Sequence, residues 1–259
     1  MSELEAPVVR RGAARRARSY RRSTGILVVG ELAVTAGVLI ALFLGWKLYY
    51  NDAMFANSQT AAANELAEEW ASEPAEPEGT SEGDESGVAP VAAKFPDGEA
   101  WANIIIPRFG ADYRKQVAEG VGHNVLNTAR LGIGRYPSTN LPGELGNVVL
   151  ASHRSAYGGA FHNINSLVVG DHVFLETKQG WYQYSYRNTE YVKASQGEVL
   201  ASVPHFVNET PTESLLTLTT CNPLYSTAER MIVYTVYDRW WPRAGGPPEE
   251  IAGTARAAG

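Results

Sequence analysis

Near the N-terminus, residues 25–46 (GILVVGELAVTAGVLIALFLGW) are apolar except for Glu31 and Thr35. As a helix rising 1.5 Å per residue, such a run reaches roughly 33 Å, enough to cross a hydrocarbon core of about 30 Å. A buried helix of a soluble domain seldom carries so long a run directly behind an arginine cluster. A cleaved signal peptide is the stronger competitor, but its apolar core usually spans about 7–15 residues and ends at a small-residue cleavage site. Here the run ends in Trp46, Lys47, Tyr49 and Tyr50, residue types that anchor at a membrane interface. The pattern predicts a retained single-pass transmembrane helix over 24–47. Glu31 is costly inside the span; it fits helix association, and it fits equally a protonated carboxyl or one hydrated near the headgroups.

Charge is distributed in blocks around that helix. Residues 1–23 hold seven arginines against Glu3 and Glu5, which predicts a basic cytoplasmic tail and a C-terminal bulk on the extracellular face of the cell membrane. Residues 51–99 hold twelve acidic side chains against Lys94 alone. Within them NSQTAAANELAEEWA (57–71) suits a helix, whereas SEPAEPEGTSEGDESGVAP (72–90) has too little apolar surface to offset its ordering entropy. The whole of 48–99 therefore reads as an acidic, Pro/Gly/Ser-rich extracellular spacer. From 100 to 259 there are 13 acidic and 13 basic residues, so the formal net charge of −6 describes no single segment. The net acidity argues against nucleic acid as a partner. One cysteine in 259 residues excludes an internal disulfide framework and a Cys-rich zinc site.

Residues 100–243 suit one compact domain. Runs rich in β-branched and aromatic residues recur at 102–108, 147–152, 171–177, 181–187, 190–194, 214–220 and 229–237, separated by turn residues. The one short helix expected is around ADYRKQVAEGV (111–121), and the tail 244–259 reads as disordered. The fold class is all-β, with closure into a barrel removing the edge strands.

Cys221 directly follows the strand SLLTLTT, His153 directly follows NVVLAS, and Arg230 opens the next strand. Strand ends on one barrel rim can meet although they are far apart in sequence. A thiol, an imidazole and a guanidinium meeting there suit acyl transfer: a neighbouring cation favours the thiolate nucleophile, the imidazole protonates a leaving amine, and the guanidinium supports an oxyanion. Taken singly, each has a bland reading. A lone cysteine is often a small buried hydrophobe, an arginine a surface residue, and His153 is one of five histidines. His162 and His172 match no known metal-ligand spacing.

The segment Thr-Leu-Thr-Thr-Cys-Asn-Pro (217–223), with Arg230 nine residues after the cysteine, resembles the signature of the sortases, membrane-anchored cysteine transpeptidases of Gram-positive bacteria. Upstream, Gly132-Ile133-Gly134-Arg135-Tyr136-Pro137, Leu141 to Asn147, Ala151-Ser152-His153-Arg154 and Tyr157-Gly158 follow the family's order and spacing. The resemblance covers roughly 100–240 and is most like class E, the housekeeping type of high-GC actinobacteria. It implies an eight-stranded sortase β-barrel with one or two short helices; family members differ in calcium use, no acidic cluster in the barrel region here compels a calcium site, and no cofactor is expected. It further implies Cys221 as nucleophile, His153 as general acid/base and Arg230 as substrate or oxyanion stabiliser, with Tyr136 and Thr220 bordering the groove for the substrate. The implied substrates are secreted proteins bearing a C-terminal sorting signal of the Leu-Ala-X-Thr-Gly type, cut between Thr and Gly, and the implied acceptor is a peptidoglycan-precursor amine. Two positions depart from the pattern: Ser152 where glycine usually precedes the histidine, and Arg135 where histidine is frequent. Alternatives on the same barrel are a pilin-polymerising enzyme, disfavoured by the missing Asp-Pro-aromatic lid motif, and a catalytically idle wall-binding module.

Overall fold

The computed structural model describes residues 11–72 and 89–256. The first ten residues of the basic tail, and 73–88 within the acidic spacer, lie outside the described residues. The chain divides into two units, Met1–Tyr50 and Asn51–Gly259. In the first unit, helix α1 (Arg11–Gly45) runs into a π-helical turn at Trp46–Tyr50. Its segment Gly25–Gly45 is long and apolar enough to cross a membrane, and every side chain in it is exposed. Inside it the Thr35 hydroxyl donates to the Glu31 carbonyl at 2.8 Å, so that polar group is satisfied by the helix itself.

In the second unit, helix α2 (Asn51–Ser72) precedes eight strands: β1 (Ala100–Ile105), β2 (Arg114–Glu119), β3 (Ile133–Arg135), β4 (Gly146–Ser152), β5 (His172–Glu176), β6 (Gly180–Lys193), β7 (Ser214–Asn222) and β8 (Glu229–Pro242). They close in the order β1-β2-β3-β4-β7-β8-β6-β5. The pairs β2–β3 and β4–β7 are parallel, and the others are antiparallel. Alternation decides what fills the barrel. Val148 and Leu150 of β4, Leu216 and Leu218 of β7, and Met231 and Val233 of β8 join one buried core with Tyr182 and Tyr184 of β6. Buried threonines of β7 and β8 are satisfied between strands: Thr217 donates to Asn147 Oδ1 at 2.6 Å and Thr235 to the Leu216 carbonyl at 2.8 Å.

The closed all-β barrel expected from strand spacing is what forms, with four departures in detail. The segment read as a helix at 111–121 contains β2 instead, because α2 covers a strand whose polar residues Arg114, Lys115 and Gln116 then have partners. The two runs at 181–187 and 190–194 are one strand, β6, whose turn-like Arg187 is absorbed by a register shift between Tyr186 and Asn188. The stretch 51–72, read as part of a solvated spacer, is a helix docked on the barrel. Ala62 and Ala63 are buried and let its backbone approach closely, so Asn103 Nδ2 reaches the Ala63 carbonyl at 3.0 Å and Gln116 Nε2 the Ala62 carbonyl at 2.8 Å. Lys115 Nζ donates to the Ala56 carbonyl at 2.5 Å and to Thr60 Oγ1 at 2.8 Å, and burial pulls its pKa down to about 8.

The tail is the fourth departure. Where the sequence predicts disorder over 244–259, the chain makes a 3-10 turn at Glu249–Ile251 and a short helix α4 (Ala252–Arg256), following α3 (His123–Leu126) in chain order. Ile251 is fully buried against Ile105, Phe174 and Trp181. One isoleucine among Gly, Pro and Ala gives no periodic signal, yet it is enough to fill the hollow the barrel leaves. Ile251→Ala should therefore lower stability by about 2–4 kcal/mol, measurable by urea unfolding; an unchanged midpoint would show that the tail does not pack.

Candidate active site

Three strand ends converge. Strands β4 and β7 run parallel with Leu150 opposite Leu218 and Ala151 opposite Thr219. Continuing that register by two residues sets His153 alongside Cys221. Across the antiparallel β7–β8 pair, Cys221 lies directly opposite Arg230. The barrel thus sets side by side the strand ends that carry residues 68 and nine positions from the cysteine. A buried hydrogen bond fixes the first pairing: Thr220 Oγ1 donates to the Ser152 carbonyl at 2.7 Å. Thr220, expected to border a substrate groove, is only 3% exposed, and its hydroxyl is committed to this inter-strand bond.

Cys221 is partly exposed and holds no disulfide. The Arg230 guanidinium donates to the carbonyls of Thr227 and Glu229 at 3.1 and 3.0 Å. Tyr136, at the end of β3, has its phenol pKa raised, first by burial; the charges of Arg230 and Cys221 act on it as well, which places the ring in the same neighbourhood. The His153 imidazole presents Nε2 to Asn127 Oδ1 at 2.8 Å and lies beside the Tyr157 ring at 5.1 Å. Its pKa is lowered, mainly by burial and further by His123, with Asp52 of α2 pulling the other way. Asn127 carries no motif that sequence reading could seize on; it ends a four-residue helix, and only the fold turns its amide to the histidine.

Arg154 was legible as part of a motif but not as a clamp. It is 7% exposed and joins Asn222, the residue after Cys221, to Asn165. Of the other histidines, His123 acts on His153 and three go elsewhere: His162 Nδ1 meets the Arg154 carbonyl, His172 Nδ1 meets Glu250, and His205 Nε2 meets Glu190. Among the described residues no group of three or more His, Cys, Asp or Glu is arranged to hold a metal ion. A cavity of about 460 Å³ lined by Glu119, Arg135, Thr139 and Asn140, among others, is bordered by none of Cys221, His153 or Arg230.

The two departures from the sequence pattern have physical roles. Ser152 Oγ donates to the Gly132 carbonyl at 2.7 Å, tying the end of β4 to the segment leading into β3. Arg135 forms a buried two-point pair with Glu119, at 2.8 and 2.7 Å, and donates to the Thr139 and Asn140 carbonyls, so it pins the turn that follows Tyr136.

Two predictions follow from this geometry. Ser152→Gly removes one buried hydrogen bond and should cost about 1 kcal/mol in chemical denaturation; no loss would mean that the Gly132 contact carries nothing. For His153 the folded pKa lies below the unfolded value of about 6.5, so the unfolded chain takes up a proton first as pH falls. Its contribution to stability is complete above the unfolded pKa and is lost as pH falls towards the folded one. His153→Gln should remove that part of the pH slope in thermal melts between neutral and mildly acidic buffer.

Comparison with known proteins gives the family. The family profile described as the sortase domain matches residues 104–238. Sortase SrtE2 of Streptomyces coelicolor is 28% identical over 246 residues, covering 93% of each chain. The solved SrtA sortase of Actinomyces oris superposes with a TM-score of 0.59 at 33% identity, over 64% of this chain and 94% of its own. Sortase E1 of Streptomyces coelicolor, solved with a tripeptide in the active site, superposes with a TM-score of 0.54 at 30% identity, over 60% of this chain and 97% of its own. The chain belongs to the sortase family of cysteine transpeptidases and is class E-like.

Proposed function

We propose that Cys221 is the nucleophile, His153 the general acid/base and Arg230 the oxyanion or substrate stabiliser of a transpeptidase that cuts a C-terminal sorting signal of the Leu-Ala-X-Thr-Gly type between Thr and Gly. The observation that carries this reading is the register: β4 against β7 and β7 against β8 put the imidazole, the thiol and the guanidinium at neighbouring strand ends. The Cys221 sulfur, as thiolate, attacks the Thr carbonyl carbon. Arg230, permanently charged, donates hydrogen bonds to the oxygen on which charge develops. His153 as imidazolium gives its proton to the Gly nitrogen as the C–N bond breaks, a step typically worth about 10²–10⁴ in rate. The resulting thioester is opened by an amine of a cell-wall precursor. The imidazole takes a proton from that amine, the new amide forms, and the thiolate is released. Tyr136, within reach of the charges of Arg230 and Cys221, borders the signal's path. Thr220 acts beneath it, holding the β4–β7 register through its bond to Ser152. The tripeptide bound in sortase E1 of Streptomyces coelicolor is consistent with a peptide occupying this rim.

In the same reading the segment 24–47 is a single-pass anchor with the arginine-rich end inside, and the barrel works on the extracellular face, where signal-bearing secreted proteins and wall precursors meet it. The acidic 73–88 then joins the docked helix to the barrel on the outer side. Incubation with excess Leu-Ala-X-Thr-Gly peptide should give a thioacyl adduct on Cys221 by mass spectrometry, and an added amine should discharge it to the transpeptidation product. Cys221→Ala should abolish adduct and product while keeping the melting temperature, because a partly exposed thiol contributes little packing. Product formation by Cys221→Ala at the wild-type rate would overturn the assignment.

A further inference from the structure

One fully buried side chain of α2 touches every segment that holds His153. Gln59 is 0% exposed, and its Nε2 donates to the Thr128 carbonyl at 3.1 Å and to the Tyr157 carbonyl at 2.9 Å. A Cβ at Gly132 would stand 2.4 Å from that nitrogen, and one at Gly158 would stand 2.9 Å from Gln59 Oε1. Both glycines have positive φ, +108° and +85°, so these segments press on the amide in conformations that other side chains would strain and block. Each of the three segments lies one step from the imidazole. Thr128 follows Asn127, whose Oδ1 meets His153 Nε2. Tyr157 places its ring against the imidazole, and Phe55, one turn before Gln59, meets that ring edge-on at 5.9 Å. Gly132 accepts the hydroxyl of Ser152, the residue before His153.

Docking of α2 does not need these contacts. Asn103, Lys115 and Gln116 hold the helix through the carbonyls of Ala63, Ala56 and Ala62, and Arg243 lies over the Trp70 ring at 5.8 Å. The Gln59 amide instead binds the carbonyls of two loops, at Thr128 and Tyr157, whose neighbouring side chains both meet His153. Without it, two loop carbonyls would lose their donor, and both loops would gain freedom at the point where the imidazole is aimed.

We propose that Gln59 is a positioning residue for His153, and that α2 thereby belongs to the catalytic apparatus although no atom of it reacts. The inference rests on the reading that His153 moves the protons of the Cys221 reaction. Held by Asn127 from one side and Tyr157 from another, the imidazole is aimed only while both loops stay in register with each other. A misplacement of the order of 1 Å at a proton-transferring group can cost up to about a hundredfold in rate. The titratable groups acting on His153 are His123 and Asp52, and Cys221 stands near the end of the neighbouring strand β7; a change at Gln59 alters none of them chemically.

The test uses the full chain in detergent micelles, a Leu-Ala-X-Thr-Gly peptide with an added amine, and kcat and KM measured from pH 5.5 to 9. Gln59→Ala should lower kcat by roughly ten- to a hundredfold with KM within about twofold, and should displace the pH limb assigned to His153. Gln116→Ala, which loosens α2 at a distance from the histidine, should lower the melting temperature and leave kcat and the pH profile as they are. Gln59→Met, of similar volume and without the donor, should behave as Gln59→Ala does, and it serves if the alanine variant fails to fold. In a His153→Ala background, where only slow alkylation of Cys221 by iodoacetamide is followed, adding Gln59→Ala should change the rate by less than about twofold, because the group through which it acts is gone. A Gln59 variant that is folded, melts lower, and keeps the wild-type kcat and pH profile overturns the proposal. Equal losses in Gln59→Ala and Gln116→Ala do the same, reducing Gln59 to one more docking contact. Full activity of His153→Ala would instead overturn the assignment of the site itself, which keeps the two failures apart.

Discussion

The parallel pairing of β4 with β7 is the constraint on which the rest of the site hangs. Neighbouring strands lie about 4.8 Å apart, so two side chains at matching positions on adjacent strand ends meet without any loop having to bring them together. The Thr220 hydroxyl on the Ser152 carbonyl, one residue short of both Cys221 and His153, holds that register at the last rung. A slip by one residue would turn either side chain to the other face of the sheet and separate them. Antiparallel β7–β8 pairing then adds Arg230 opposite Cys221 at no further cost in ordering.

A strand end is nonetheless a frayed place, and the imidazole stands two residues beyond the last β4–β7 rung. The polar scaffold around it answers this. Asn127 meets the ring nitrogen, Tyr157 flanks the ring, Arg154 ties the outgoing loop to Asn222, and Gln59 reaches in from α2 to two loop carbonyls. Apart from the ring contact of Tyr157, these are hydrogen bonds to backbone or neutral amides rather than ion pairs. Only Arg154 among these groups is charged, and its guanidinium is turned to Asn222 and Asn165; the charges acting on the histidine are those of His123 and Asp52. The strong buried charges lie elsewhere, at Arg135–Glu119 and around Glu176 with Arg114 and Arg243, where they fasten strands and the tail-proximal turn.

The docking of α2 shows why composition misleads about this segment. Its buried face is Gln59, Ala62, Ala63 and Ala67 with Trp70 at the far end, so a hydrophobic count finds no core-seeking stripe. The stabilisation comes from polar side chains of β1 and β2 reaching helix carbonyls across a short alanine gap. The same contact hides β2 in the sequence: Arg-Lys-Gln reads as a solvated helix unless something covers it, and here α2 does. Ile251 is the reverse case, a single apolar residue in a Gly/Pro-rich tail that finds a place against Ile105, Phe174 and Trp181.

Much of the architecture could be read directly. The seven runs rich in β-branched and aromatic residues mark six of the eight strands because alternation and turn residues are local properties, and the cysteine motif with its arginine nine residues on is local as well. The apolar run at 25–46 likewise declares a membrane-length helix by length alone. The partners that orient His153 could not be read: Asn127, 26 residues upstream, and Gln59, 94 residues upstream, are ordinary amides in ordinary segments. The sequence by itself determined which strands form and which residue types stand at their ends. Only the tertiary structure decided which ends become neighbours and which buried amides aim them, because inter-strand register and loop-to-helix hydrogen bonds exist only once the barrel has closed.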